Sequence, residues 1–433
     1  MITRRTLFGA TAATALTVPL GACGTVVRTG PVRQDPSGPL RVWFPGGTRP
    51  EIDLVEGQIV PAFGRRHGVE VEVTYVDWDE ISPKLAAAMA ANTAPDVFGH
   101  GPAATAEYAA AGRVLPLDAF IRDWSDAERR DLATFLGGGR YQGRQYMIPL
   151  AAGGSLLAYR TDLFDKFGLR APPRTWPEVR EAARRLVVRG GPNRRAGILL
   201  PTAAIGRSQT FTSLLLAAGG SLLDASGTRA RFHQRPGVRA LTFFVSLYRG
   251  AHPVADQLGA DHNALAPGQR PLATGATAME FLGSTTLLPI LQARPELAES
   301  IDVVLPKFRD RRAFGGGDSG LFINRDSAKH QLAWKFIQTM VSSEVSQRYA
   351  DATGAVPLRA SAKPTGSPAR RRLLSAYIDA GPSYRPNPNI PRWVQVRDIL
   401  DRYLEQALLG RSTPTEALER AAAEVDGVLA GDR

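Results

Sequence analysis

Aromatic rings beside turn residues are the chemistry that this sequence offers. Trp43 precedes Pro45-Gly46-Gly47, Trp78 sits in Asp77-Trp78-Asp79-Glu80, Phe98 precedes Gly99-His100-Gly101-Pro102, and Trp393 follows Pro386-Asn387-Pro388-Asn389-Ile390-Pro391. A flat ring at such a turn stacks on the apolar face of a sugar, while Asp, Asn and Arg side chains take its hydroxyls. In open α/β sheets ligands bind outside the carboxyl ends of the strands, where these turns gather. The competing reading places the rings in the core; the sequence favours it for Trp43 and leaves it open for Trp78 and Phe98. The loop before Trp393 reads as pinned and exposed.

Other chemistries find no support. There is no G-x-S-x-G nucleophile elbow and no phosphate-cradling G-x-x-x-x-G-K-[ST]. His252 and His262 lie near Asp256 and Asp261, but without paired helical spacing they read as a polar loop, so neither metal nor cofactor is expected. Asp77, Asp79 and Glu80 suit a helix start, whose partial positive charge favours carboxylates. The formal charge of +12 is spread over arginines interleaved with acidic residues, without aromatic interleaving, which argues against nucleic acid. An exported saccharide-acting enzyme is an alternative that needs two carboxylates roughly 5–10 Å apart across a cleft. A structural or signalling lipoprotein is another.

The elements that position these residues alternate. With 433 residues and 44% hydrophobic content, the chain has length for about two domains. Leu40 to Phe44 reads as a buried strand, and Glu51 to Arg66 as a helix with Leu54, Val55, Ile59 and Phe63 on one face. Val69, Val71, Val73 and Tyr75 alternate with polar residues as in a strand. A helix over Ile81 to Ala91 and a strand at Asp96 to Phe98 follow, arguing for a parallel α/β sheet. Tyr146 to Pro149 and Leu156 to Tyr159 read as strands joined by Ala151 to Gly154, a candidate hinge, because glycine pairs open backbone angles closed to other residues. Beyond lie capping boxes at Ser125, Thr175 and Thr413, helices over 209–218 and 236–249, and a polar loop over 251–271. Strands are expected over 198–200, 276–281, 301–305 and 320–324. The last helices are expected over 328–350, 394–409 and 414–429.

The first 22 residues carry Arg4-Arg5, an apolar run from Leu7 to Leu20 and small residues before Cys23, the pattern of an export signal. Thr3 to Phe8 resembles the twin-arginine motif, and Leu20-Gly21-Ala22-Cys23 resembles a bacterial lipobox with Cys23 as the lipid attachment site. Residues 23–38, rich in Gly, Pro and small polar residues, read as a flexible tether.

Several segments in order resemble the extracellular solute-binding proteins of bacterial ABC importers, in particular the family that includes the maltodextrin-binding proteins. They are Ala94 to Phe98, Tyr141-Gln142-Gly143 running to Pro149, Tyr159 to Phe164, Pro173 to Trp176, Thr274 to Met279, Ala333 to Phe336 and Thr353 to Pro357. The resemblance implies an α/β, two-lobed periplasmic-binding-protein-like fold, with discontinuous lobes joined by hinge segments around a ligand cleft. Carried over, the first lobe comprises 39–149 and 321–375, and the second 150–313 and 376–433. Implied ligand-binding residues are Gly46, Gly47, Trp78, His100, Ala152, Gly153, Ser284, Thr285, Gly316, Gly317, Asp318 and Trp393. Gly153 stands where maltodextrin binders place a carboxylate, and Thr285 where they place a second stacking aromatic. A small saccharide or derivative is therefore expected rather than a long glucan, with a glycerophosphodiester or other polar solute as alternative. The resemblance further implies no catalysis, an extracytoplasmic, lipid-anchored monomer at the cell membrane, and ABC permease subunits as partners.

Overall fold

A computed structural model describes residues 36–308, 311, 313–315 and 319–431. The expected export signal, Cys23 and the tether through residue 35 lie outside the described residues, as do Gly316, Gly317 and Asp318.

The described residues form ten strands: β1 (Leu40–Pro45), β2 (Val71–Val76), β3 (Val97–His100), β4 (Arg140–Tyr141), β5 (Arg144–Gln145), β6 (Met147–Ala151), β7 (Ser155–Arg160), β8 (Met279–Gly283), β9 (Ile301–Val304) and β10 (Ser319–Ile323). One sheet runs β2-β1-β3-β10-β6 and another β8-β7-β9, with β4-β5 a small hairpin. Each larger sheet has its own apolar cores, so the fold is two-lobed.

In the first lobe, Leu40, Val42 and Phe44 are fully buried because β1 is central, flanked by β2 and β3. The edge strand β2 alternates half-buried and exposed residues, the period-2 pattern visible in the sequence. Leu54, Val55, Ile59 and Phe63 all face the core. Their helix passes through a π turn at Val55–Ile59 between Arg49–Leu54 and Val60–His67. Asp96 is completely buried, accepting from Arg41 N (2.9 Å) and Ser327 Oγ (2.5 Å), with Lys329 Nζ 3.7 Å away. The carboxylate of the Pro95-Asp96 segment thus locks β1 and the 324–329 turn beside β3.

Several expectations are corrected. The sheets are not simply parallel: β1, β2 and β3 are, but β10 runs antiparallel to β3 and β6, and β7 pairs antiparallel with both β8 and β9. The long helix over 328–350 is two, His330–Met340 and Ser343–Thr353, because Ser342 leaves the helical conformation and its Oγ accepts from Val345 N. Thr175 accepts from Glu178 N, but the Glu178 carboxylate takes Arg174 N instead of completing a capping box. Residues 196–199 make parallel bridges beside β8 rather than a separate strand. Helix Pro368–Ala380, which no expectation covered, packs Leu373, Leu374 and Tyr377 into a core with Leu156, Leu282 and Leu287.

Candidate functional site

Sheet register collects the turns at one end. Trp43 pairs with Phe98, Gly320 with His100, and Ser319 with Ala151, so the turn after β1, the end of β3 and the exit of β6 share an edge. Gly46 and Gly47 have φ of 73° and 144°, which only glycine adopts readily. They also admit close neighbours: a Cβ on Gly46 would lie 3.2 Å from Trp78 Nε1, and one on Gly47 2.6 Å from the Tyr75 ring. The Trp78 indole therefore lies against the β1 turn, and it is 41% exposed. It stands edge-on to His100, centroids 6.2 Å apart at 79°.

His100 is 7% exposed, with both ring nitrogens engaged. Gly101 N donates to Nδ1 (2.8 Å), so the proton of the neutral ring sits on Nε2, which donates to Ser82 Oγ (2.9 Å). Burial, reinforced by the charge of Arg397, lowers the imidazole to about 4. His100 is thus a neutral wall held in one tautomer, also touching Tyr108 edge-on at 5.7 Å. The reading left open for Phe98 resolves as core: it is fully buried and stacked on Phe322 at 5.4 Å. Trp43 is half-buried against the same cluster.

The chain leaves this edge through Ala152, Gly153 and Gly154, which join β6 of one sheet to β7 of the other. Val356 N donates to Ala152 O (3.1 Å), laying a second crossing segment beside the first. Gly154 lies against Phe314, whose ring would overlap any Cβ there. Phe314 N donates to Ser383 O (3.3 Å) and Arg385 N to Phe314 O (3.0 Å), and its ring meets Tyr384 at 5.7 Å. On the β8 side, Ser284 opens helix Ser284–Ala293, fully buried, with no hydrogen-bond partner for Oγ. Thr285 beside it is exposed.

Trp393 does not have the exposure expected of it. It is 5% exposed and packs within the core of the second lobe. Ala103 belongs to the same apolar cluster, and its turn, Pro102–Ala104 of the first lobe, packs on helix Trp393–Leu408. That helix is held by Arg207, 9% exposed, which pairs with Asp401 (2.5 Å) and Glu405 (3.0 Å). The structure therefore groups Gly46, Gly47, Trp78 and His100 at one sheet edge. It joins Ala152, Gly153 and Gly154 to them through β6, and places Ser284, Thr285 and Trp393 on the second lobe.

Ser82, Phe314 and Tyr384 escaped the sequence reading as site residues. Ser82 lies on the helix opened by Trp78, four residues on, a spacing that puts both on one face. Phe314 is a lone aromatic in a glycine-rich stretch, which gives no periodic signal. Two of the possible metal ligands make other bonds: His262 Nε2 pairs with Gln257 Oε1 (2.9 Å), and Asp256 Oδ2 accepts from Arg194 (3.1 Å). Among the described residues no group of three or more His, Cys, Asp or Glu is placed to hold a metal ion. Among them, too, no helix is long and apolar enough to cross a membrane.

Residues 52–347 match the family model described as bacterial extracellular solute-binding protein, more than half of the chain. The chain belongs to this family. Among curated relatives, the diacetylchitobiose-binding protein DasA of Streptomyces coelicolor is 23% identical, the alignment covering 90% of each chain. Among solved structures, an ABC transporter solute-binding protein of Thermotoga lettingae, bound to α-D-tagatose, superposes with a TM-score of 0.80 at 24% identity. It covers 91% of this chain and 100% of its own. The GacH receptor of Streptomyces glaucescens, solved unliganded and with acarbose, gives 0.77 at 22% identity, with coverage of 90% and 98%. At such identities the structural likeness establishes the two-lobed fold that this family member shares with them.

Proposed function

We propose that this protein captures a small saccharide or sugar derivative between its lobes and delivers it to the membrane subunits of an ABC importer, without catalysis of its own. The observation that carries the reading is Trp78: a 41%-exposed indole lying on a glycine turn, beside a buried neutral histidine, at the end of the sheet from which the chain crosses to the other lobe. An exposed ring of this size on a rigid turn is a stacking platform, and neighbouring main chain at Gly46, Gly47 and Gly153 supplies polar groups without bulk. Ser284 Oγ, buried and unpartnered at the head of a ten-residue helix, adds a hydroxyl whose bonding capacity a ligand hydroxyl would complete. The sugars and sugar analogues bound by the neighbours named above support the class of ligand. Lipid attachment at Cys23 would keep the protein at the extracytoplasmic face of the membrane.

A thermal-shift screen against monosaccharides, disaccharides, amino sugars, polyols and glycerophosphodiesters tests this. A saccharide at 100 times its dissociation constant should stabilise the protein by about 2.7 kcal/mol. Stabilisation by glycerophosphodiesters alone would overturn the carbohydrate reading, and no stabilisation by any solute would overturn capture itself.

A further inference from the structure

One contact between the lobes involves no candidate ligand residue. Asn389, in the proline-flanked loop before helix Trp393–Leu408, reaches to the first lobe with both ends of its amide. Its Oδ1 accepts from Ala106 N at 2.7 Å, and its Nδ2 donates to Arg140 O at 2.6 Å. The partners are main-chain groups separated from it by 283 and 249 residues, one in helix Thr105–Ala110 and one in β4. The loop carrying Asn389 is fixed at its base, where Tyr384 and Arg385 lie beside Phe314, and Phe314 in turn lies on Gly154. The seam continues past the clip. Glu107, the residue after Ala106, lines a groove of about 570 Å³ with Arg392, Gln395 and Asp398 of the second lobe, and Arg397 draws its burial-raised carboxyl back down.

We propose that Asn389 is a clasp between the lobes: a positioning residue that sets how often they close before any ligand arrives, and so tunes the affinity of a site it does not touch. The inference rests on the reading that the lobes part and close around a solute. A ligand that binds the closed form spends part of its binding energy on closure, and a pre-formed clasp reduces that cost. Asn suits the task because one planar amide both donates and accepts, whereas Asp offers no donor and Ser reaches only one partner. Pro386, Pro388 and Pro391 restrict the loop that presents it, so little chain entropy is lost when the clasp forms.

The test needs no ligand. Spin labels on Glu72→Cys and Lys166→Cys, exposed positions on the two lobes, report lobe separation in full-length protein with Cys23→Ser. In the Asn389→Ala variant the ligand-free distance distribution should move to longer separations, with the closed-to-open ratio falling about tenfold for two lost hydrogen bonds. Asn389→Gln, which keeps the amide but overreaches by one methylene, should shift it the same way. It serves as the working variant if Asn389→Ala fails to fold. Distances unchanged in a folded variant overturn the clasp. Failure of every saccharide in the screen would overturn the carbohydrate reading, while the lobe distances would still test the clasp independently.

Discussion

Two tryptophans compete for the role of stacking platform, and burial separates them. Trp393 keeps 5% of its surface and Trp78 keeps 41%. Truncating a ring buried like Trp393 creates a cavity costing about 3–5 kcal/mol, so Trp393→Ala would report on folding before it reported on binding. Trp78→Ala removes a ring that packs only along one side, and its effect on stability should stay within about 0.5 kcal/mol. If the indole stacks on a saccharide, affinity for whichever sugar the thermal screen identifies should fall by about 1–3 kcal/mol, by analogy with base–aromatic stacking. Calorimetric titration of Trp78→Ala with unchanged affinity would remove Trp78 from the site. The sequence placed both rings beside turns, but exposure is a property of packing: nothing local to Trp393 announces that Pro102–Ala104 comes from the other lobe to pack on its helix.

Among elements, the crossing from β6 to β7 is the most constrained. Gly154 has no room for a side chain because the Phe314 ring occupies the space, and Phe314 is itself 4% exposed and backed by Tyr384. Gly154→Ala should therefore overpack the crossing and cost about 1–3 kcal/mol of stability by urea unfolding. Adding Phe314→Leu, which vacates the ring volume, should recover part of the loss. Strictly additive losses in that double-mutant cycle would show that the two residues do not meet as described. The strands on either side of this crossing were legible, since Met147 to Leu150 and Leu156 to Tyr159 are apolar runs interrupted by small residues. The sheet each run joins was not, because pairing is decided by β10, β8 and β9, all more than 100 residues away. Helix boundaries fared well where capping chemistry is local, as at Ser125 and Thr413, whose boxes with Glu128 and Glu416 both close. Helix Pro368–Ala380 hid behind Arg370, Arg371 and Arg372, which mask the spacing of Ala369, Leu373, Leu374 and Tyr377.

At the scale of the whole molecule, the two lobes bury ionisable groups whose titrations oppose each other, His100 in the first and Glu280 in the second. His100 of the first lobe is held neutral down to about 4, against an unperturbed 6.5, by burial and then by Arg397. Glu280 of β8, 3% exposed, is pushed up from 4.5 to about 7, again by burial first, with Arg270 pulling the other way. Its Oε1 lies 4.0 Å from His262 Nδ1, and its Oε2 has no hydrogen-bond partner. The signs differ. Between 6.5 and 4 the unfolded chain binds the His100 proton that the folded protein refuses, so this contribution is full above 6.5 and falls on acidification. Between 4.5 and 7 the folded protein holds the Glu280 proton that the unfolded chain releases, so that contribution is full below 4.5 and is lost as pH rises through 7. Where the windows overlap, from 4.5 to 6.5, these two contributions offset each other. Single variants should expose the components. Relative to the unsubstituted protein, Glu280→Gln removes a contribution that grows on acidification and should lose about 2–3 kcal/mol more between pH 6.5 and 4.5, whereas His100→Gln removes one that falls and should gain a similar amount over the same range. Urea unfolding of the three proteins at pH 4.5, 5.5 and 6.5 reads this directly. Profiles parallel to that of the unsubstituted protein in both variants would mean that neither group is buried in the charge state described, whereas departures of opposite sign would place a desolvated titrating group in each lobe.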